Sequence, residues 1–304
     1  MNPLNGSAPT NFISVYEPRQ KSESRAIYLW HLRPRLLLTI DAYSECAFPL
    51  RLYFETTALG HGTGFLWRAD DGLLLFTNWH VVTGRNPTTL KHADEKTAAE
   101  PSRAEVSLWR NNGIERVINL RLYAQNGSPT WYVHPEFGRE VDLVAIPIPR
   151  LSDAVTARAV NDLPQVPLRT VVGSQLFILG YPFLPERYPV WKQATVASEP
   201  ALTPSLRRHL LVDSASRPGM SGAPVIQRAA GLLQVEHEGS WRAETHALPI
   251  TRFVGVYSGR LNTRSILDAQ LGMVWPAQLV SEIAEGRRRD IHPQRQRLYI
   301  GRLA

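Results

Sequence analysis

Three separated segments carry the side chains that acyl-transfer chemistry needs. The first contains His80, the second contains Asp142 and the third contains Ser221; they span residues 77–82, 141–146 and 217–224. A serine hydroxyl is a weak nucleophile at neutral pH, so it needs an imidazole to accept its proton and a carboxylate to orient that imidazole. We therefore predict that Ser221 is a nucleophile, His80 its base and Asp142 the orienting acid.

The residues around Ser221 predict a second catalytic feature. The chain reads Gly219-Met220-Ser221-Gly222, and glycines adopt turn dihedrals that a side chain would resist. In such a turn, backbone N–H groups converge on the oxygen that becomes negative in a tetrahedral intermediate. We assign this oxyanion hole to the N–H groups of Gly219 and Ser221.

The elements that must position these residues are short β-rich runs separated by turn residues. One series precedes residue 150 and contains His80 and Asp142, and a second series follows residue 165 and contains Ser221. This spacing is typical of antiparallel barrels, and the absence of alternating long helices disfavours a doubly wound α/β hydrolase. The site is predicted to lie in the cleft between two barrels.

The rest of the chain is divided as follows. Residues 27–290 are predicted to form one domain, with a first barrel at about 27–150 and a second at about 165–275. A terminal helix is predicted at about 276–285, because Pro276 stands at its start and Gly286 after its end. Residues 1–26 read as a flexible polar arm and residues 291–304 as a basic tail.

Cysteine usage and hydropathy bear on the compartment. Cys46 is the single cysteine, so no internal disulfide is possible, and the first residues show no basic start followed by an apolar stretch. The apolar runs are far shorter than the roughly 20 residues that span a bilayer. We expect a reducing, cytoplasmic, bacterial location and no membrane partner.

The positive charge of the chain suggests an alternative function, the binding of nucleic acid. The net charge is +7, and arginines cluster near the C-terminus, as in some proteins that bind nucleic acid. No helix-turn-helix, zinc-finger or RNA-binding signature accompanies these arginines. A solvated basic surface explains them better, and nucleic acid is not the expected partner.

The same segments carry a family resemblance. Residues 62–65, 77–82 and 213–224 resemble the chymotrypsin/trypsin clan of serine peptidases, in particular its bacterial HtrA-like and stand-alone trypsin-like branch without a PDZ domain. Residues 133–137, followed by 142–146, are similar to the approach to the catalytic acid of that clan. Residues 255–259 look like the strand that lines its specificity pocket. The resemblance covers roughly residues 55 to 285.

The resemblance implies an all-β fold of two antiparallel six-stranded barrels with a C-terminal helix, and a serine endopeptidase. It also implies a set of substrate-binding residues: Ala215, Ser216, Tyr257, Ser258, Gly259 and Arg260. Ser258 is further expected to help hold Asp142.

The positions that match those of the clan also indicate the substrate selectivity and the mode of activation. Members that cut after Lys or Arg have an aspartate where this chain has Ala215, so a basic side chain would be buried without a counter-charge. Small, apolar or acidic residues before the cut are expected instead, the acidic preference only if Arg260 faces the pocket. Met220 replaces the acid that pairs with a newly cut N-terminus in many secreted relatives, so activation by such cleavage is not expected.

No cofactor or metal is predicted. Glu236-His237-Glu238 lacks the His-Glu-x-x-His helix of zinc hydrolases and reads as a solvated loop. His134 reads as a packed structural residue rather than a second catalytic histidine.

Three functions stay open at this point. The first is an intracellular serine endopeptidase that cuts a protein or peptide substrate, controlled by an associated sensor or effector protein by analogy with bacterial conflict systems. The second is a catalytically idle protease-fold module that captures a peptide strand. The third is a basic protein associated with nucleic acid.

Overall fold

The fold was examined in a computed structural model, which describes residues 40–94, 98–110, 112–151, 155–183, 186–203, 208–215, 217–260 and 270–291. Four predicted features lie outside these ranges: the arm at 1–26, the start of the first barrel at 27–39, the substrate-binding residue Ser216 and the tail beyond Ile291. Within them, no helix is long and apolar enough to cross a bilayer.

Eight strands from the first half of the described chain and one from its C-terminal end, β15, form a sheet in the order β15-β6-β7-β3-β2-β1-β4-β5, with β8 paired to β4. Its strands are β1 (Ala47–Phe54), β2 (Thr57–Ala69), β3 (Gly72–Thr77), β4 (Arg103–Arg110), β5 (Glu115–Arg121), β6 (Tyr132–Val133), β7 (Val144–Pro147), β8 (Val155–Thr156) and β15 (Arg288–Arg289). One short helix, α1 (Trp79–Thr83), follows β3.

The second half forms a closed six-stranded barrel in the order β10-β11-β14-β13-β12-β9. Its strands are β9 (Gln175–Gly180), β10 (Val190–Val196), β11 (Leu210–Asp213), β12 (Pro224–His237), β13 (Ser240–Arg260) and β14 (Leu271–Pro276). Short 3-10 turns lie at Ala42–Glu45, Val160–Asp162 and Pro200–Leu202. The helix α2 (Ala277–Gly286) follows β14.

The all-β architecture with a C-terminal helix is confirmed, with one correction. The first sheet does not close into a six-stranded barrel, because β5 and β6 are not paired. Between them the chain turns at Asn126 and Gly127. The two sides of this turn are joined by the bridge of Tyr123 with Pro129 and by backbone hydrogen bonds from Ala124 to Ser128 and from Thr130 to Leu122, all of them outside β5 and β6.

The core of the described chain consists of three apolar clusters, one of which joins the two halves of the fold. One fills the first sheet around Trp79 and Trp131, and another fills the second barrel around Met220 and Tyr257. The third joins the halves and contains Phe65 of β2 with Ile226, Phe253 and Val256 of the second barrel. The rings of Phe65 and Phe253 lie 5.5 Å apart. This shared core joins the first sheet, next to which His80 and Asp142 lie, to the barrel that follows Ser221.

The terminal helix begins and ends one residue later than the predicted span. Gly286 lies inside α2, and Arg287 takes the left-handed conformation at its end, with a φ of 47°. Gly286 is required for packing rather than for its dihedral freedom, because a Cβ at this position would lie 2.8 Å from the ring of Pro135. The sequence pattern indicates the helix end but cannot reveal this contact.

A buried carboxylate fastens the segment after α2 to the first sheet. Asp290 is only 9% exposed, and its Oδ2 accepts hydrogen bonds from the indole N–H groups of Trp79, at 2.7 Å, and Trp131, at 2.9 Å. Both indoles are fully buried. Since Trp79 directly precedes His80, this contact also supports the helix that carries the predicted base.

We predict that Asp290→Ala lowers the free energy of unfolding by about 3 kcal/mol, because two buried indole N–H groups lose a charged acceptor. Asp71→Ala is the matched control: Asp71 is an exposed carboxylate that pairs with Arg287 just before the same segment, and its loss should cost less than about 1 kcal/mol. Urea unfolding of the two variants measures both values. Equal costs would contradict a stabilising role for the buried carboxylate.

Candidate active site

His80 occupies the first turn of α1, directly after β3. Trp79 and Val82, on either side of it, are fully buried in the first core, whereas the side chain of His80 is 30% exposed. The helix is thus anchored by its apolar face. The imidazole remains open to the cleft.

Asp142 is held rigidly just before β7. Its neighbours Val141 and Leu143 are fully buried, and its own side chain is 5% exposed. Thr77 at the end of β3 pairs with Val144, which brings Asp142 beside α1. The amide of Asn78 donates to the backbone carbonyl of Asp142 at 2.8 Å and fixes this approach.

The Asp142 carboxylate accepts three hydrogen bonds. Its Oδ2 lies 2.6 Å from Nδ1 of His80, and its Oδ1 accepts the backbone N–H of His80 at 2.9 Å. The hydroxyl of Ser258 also donates to Oδ2. A carboxylate accepts but does not donate, so Nδ1 carries the imidazole proton and Nε2 is left as the basic nitrogen.

These contacts set the charge behaviour of His80. Burial opposes the charged imidazole, but the Asp142 carboxylate and its hydrogen bond more than offset this, so the pKa of His80 is raised above its ordinary value. The site therefore favours the imidazolium that forms when His80 accepts a proton.

Ser221 lies half-exposed in a turn that precedes β12. The N–H of Met220 donates to the carbonyl of Arg217 at 3.3 Å and closes residues 217–220 into a turn. Pro218 and Gly219 occupy its centre, and the φ of Gly219 is 90°. Proline followed by a residue with positive φ is the pattern of a type II turn. We call residues 217–222, which include Ser221, the nucleophile turn.

Both glycines beside the nucleophile are required by close backbone contacts. A Cβ at Gly219 would lie 2.3 Å from the carbonyl oxygen of Tyr181, and one at Gly222 would lie 2.1 Å from that of Thr63. Within the described ranges, the N–H groups of Gly219 and Ser221 donate to no other group of the chain. They are available to bind an oxygen atom of a ligand.

Thr63 of β2 clamps this turn from the first sheet. Its hydroxyl donates to the carbonyl of Gly219 at 2.7 Å and accepts the N–H of Tyr181 at 3.0 Å. Its backbone N–H donates to the carbonyl of Ser221 at 2.8 Å. The sequence offered only the Gly-Thr-Gly-Phe resemblance as a signal here, and the role of the hydroxyl was missed.

Ser221 lies next to the segment of β13 that contacts Asp142. A Cβ at Gly259 would be 3.6 Å from Ser221 Oγ, and the adjacent Ser258 contacts Asp142. In the described structure Ser221 Oγ makes no hydrogen bond with His80. Nucleophile and base often close to hydrogen-bonding distance only when substrate binds.

The predicted substrate-binding residues divide into three groups. Ala215 is exposed before the nucleophile turn, and Ser258 and Gly259 line the site as just described. Tyr257 is fully buried in the second core, with its ring against Gly272, and its role in substrate binding stays a prediction. The side chain of Arg260, like Ser216, lies outside the described residues.

Two histidines that the sequence singled out lie elsewhere. His134 is 3% exposed, contacts Glu282 through Nε2 at 2.7 Å and stacks on Phe137, which is a packing role. His237 lies at the end of β12 and contacts Glu244. In the part of the chain that the structure describes, no group of three or more His, Cys, Asp or Glu side chains is arranged to hold a metal ion.

The family described as the trypsin-like peptidase domain matches residues 62–233, a span that contains His80, Asp142 and Ser221. No curated protein matches the chain.

Several solved structures are similar to the chain. A serine endoprotease from Yersinia pestis has 16% identity and a TM-score of 0.42 over 80% of this chain, which spans 62% of the length of that protein. A protease from M. tuberculosis in its active form has 19% identity and a TM-score of 0.41, covering 81% of this chain and 82% of that one. The protease Anisep from Arthrobacter nicotinovorans has 12% identity and a TM-score of 0.44, covering 81% and 97%.

The family match covers more than half of the 304 residues and includes the three segments with which the sequence analysis began. The chain therefore belongs to the trypsin-like peptidase domain family, a family of serine endopeptidases.

Proposed function

We propose that this protein hydrolyses peptide bonds of protein substrates through an acyl-enzyme, with Ser221 as nucleophile, His80 as general base and Asp142 as the orienting acid. The observation that carries the proposal is the hydrogen-bonded series from Ser258 through Asp142 to His80, beside a turn that presents Ser221 and two unused N–H groups. An acyl-transfer site needs these parts together.

The proposed reaction follows from the atoms at the site. Nε2 of His80 takes the proton from Ser221 as Oγ attacks the substrate carbonyl, and the N–H groups of Gly219 and Ser221 stabilise the oxyanion. His80 then gives its proton to the leaving amine, which departs and leaves the acyl-enzyme. A water molecule, deprotonated by His80, releases the acid product and restores Ser221. Asp142 remains ionised throughout and stabilises the imidazolium.

A reducing, intracellular setting is part of the proposal. Cys46 is the single cysteine and is fully buried. Burial raises the pKa of its thiol well above the ordinary value, so the group is protected from oxidation and from thiolate chemistry. Control by an associated sensor or effector protein stays a prediction that rests on analogy alone.

For selectivity, we propose that the residue before the cut is small or apolar. Ala215 brings no carboxylate to the pocket, and the ring of Tyr257 fills the space behind Gly272. A Lys or Arg side chain would lose water there without gaining a counter-charge, which is costly.

The triad is tested by turnover of a casein-like substrate. We expect Ser221→Ala and His80→Ala to reduce kcat by about a millionfold, as for other serine peptidases, and Asp142→Asn by about ten-thousandfold through the wrong histidine tautomer. Ser128→Ala, a serine in an exposed turn, is the control and should match the wild type. Activity retained in Ser221→Ala would refute the nucleophile. An inactive but folded wild type would favour the idle binding module.

The clamp of Thr63 on the nucleophile turn gives a second test. Thr63→Val keeps the shape but removes the hydroxyl that contacts Gly219 and Tyr181, so the oxyanion donors should shift. We expect kcat to fall about a hundredfold with little change in KM. Thr63→Ser retains the hydroxyl and should keep most of the activity. Equal activity of the Val and Ser variants would show that the clamp does not position the turn.

Selectivity is tested at Ala215. A peptide series that varies the residue before the cut should show at least about a hundredfold preference of the wild type for Ala, Val or Leu over Lys and Arg. Ala215→Asp should raise cleavage after Lys and Arg, because it supplies the missing charge, whereas the neutral isostere Ala215→Asn should not. Efficient wild-type cleavage after Lys or Arg would refute the pocket assignment.

A further inference from the structure

A cavity of about 270 Å³ lies away from the catalytic cleft, where the two halves of the fold meet. Its lining includes Trp67 of β2, Val166 and Pro167 of the connection between the halves, Arg252 and Phe253 of β13, and Ala277 at the start of α2. The lining contains none of His80, Asp142 and Ser221 and none of residues 215–222 or 257–260, although Arg252 and Phe253 lie on β13, the strand that also carries Ser258 and Gly259. The cavity is therefore a separate concave site.

The walls of the cavity are mostly apolar and aromatic. The ring centroids of Trp67 and Phe253 lie 6.0 Å apart and are tilted by 48°. Val166 and Pro167 add aliphatic surface. The volume lies just below the usual range of small-molecule sites, so it suits a ligand of one or two rings.

Three polar side chains line the cavity: Asn161, Gln165 and Arg252. The amides of Asn161 and Gln165 are hydrogen-bonded to backbone groups of the chain, so Arg252 is the charged group of the lining. It is half-buried, and its guanidinium donates to the carbonyl of Leu168, directly after Pro167. Burial lowers the pKa of Arg252, and the nearby charge of Glu236 opposes this shift only in part. No carboxylate of the described residues forms an ion pair with Arg252.

This arrangement leaves a partly buried cation beside an apolar cavity. A guanidinium has five N–H donors in a planar fork that matches a carboxylate, and one is used by Leu168. Placing an anion beside a desolvated, unpaired cation offsets the cost of its burial. The complementary ligand thus combines an acidic group with an apolar ring.

We propose that this cavity is an accessory binding site for a small aromatic carboxylate, whose ring lies against Trp67 and Phe253 and whose carboxylate binds Arg252. Phe253 also belongs to the core that joins the two halves of the fold. A bound ligand would contact β2, β13 and α2 at once and would stabilise their packing.

The test uses 2-naphthoate and its neutral counterpart 2-naphthamide, titrated against the full chain by ligand-observed NMR, with the melting temperature measured alongside. The carboxylate should bind saturably, at least about tenfold more tightly than the amide, and should raise the melting temperature. Equal affinity of the two compounds, or no saturable binding of 2-naphthoate, would overturn the proposal.

Three variants test whether the two compounds bind in this cavity. Arg252→Gln should remove the difference between the two compounds, and Ala277→Phe should fill the cavity and abolish binding of both. Arg242→Gln, an exposed arginine on the same strand and outside the cavity, is the matched control and should bind like the wild type. Unchanged carboxylate preference in a folded Arg252→Gln, or unchanged binding in a folded Ala277→Phe, would contradict the assignment.

Discussion

The bond between Thr63 and the nucleophile turn is the contact on which the active site depends. Ser221 and Gly219 belong to the second half of the fold, whereas His80 and Asp142 belong to the first. Thr63 crosses the cleft with its hydroxyl on Gly219 and its N–H on Ser221, and Thr77 donates to the Thr63 carbonyl at 2.8 Å. The position of the turn that contains Ser221 is therefore tied to β2 and β3, the strands that carry Thr63 and Thr77.

The buried charge at Asp142 is stable for a related reason. A carboxylate removed from water is costly unless its oxygens are paired. Here the imidazole and backbone N–H of His80 and the hydroxyl of Ser258 provide the pairing. Ser258 comes from the second half, so Asp142, the proposed acid, is held by groups from both sides of the cleft, as is the turn that contains Ser221. The raised pKa of His80 depends on Asp142, and Asp142 is held in place only when the two halves pack together.

The sequence predicted those features that depend on local chemistry. The all-β class and the helix near 276–285 followed from residue types and spacing, and the family followed from the resemblance of the segments around His80, Asp142 and Ser221 to known serine peptidases. The role of the Thr63 hydroxyl, the packing of Gly286 against Pro135 and the burial of Tyr257 depend on contacts between distant segments, which spacing does not encode. The long hairpin of β12 and β13 was also missed, because Glu236 and His237 are polar and solvated although they lie in a strand.

The central claim is that Ser221 is activated by His80 and Asp142. The most direct measurement is reaction with a fluorophosphonate, followed by mass spectrometry of the labelled protein. We expect a single label on Ser221 that is lost or greatly slowed in folded His80→Ala. A folded wild-type protein that takes no label under conditions that label trypsin, or one labelled at another residue, would contradict it.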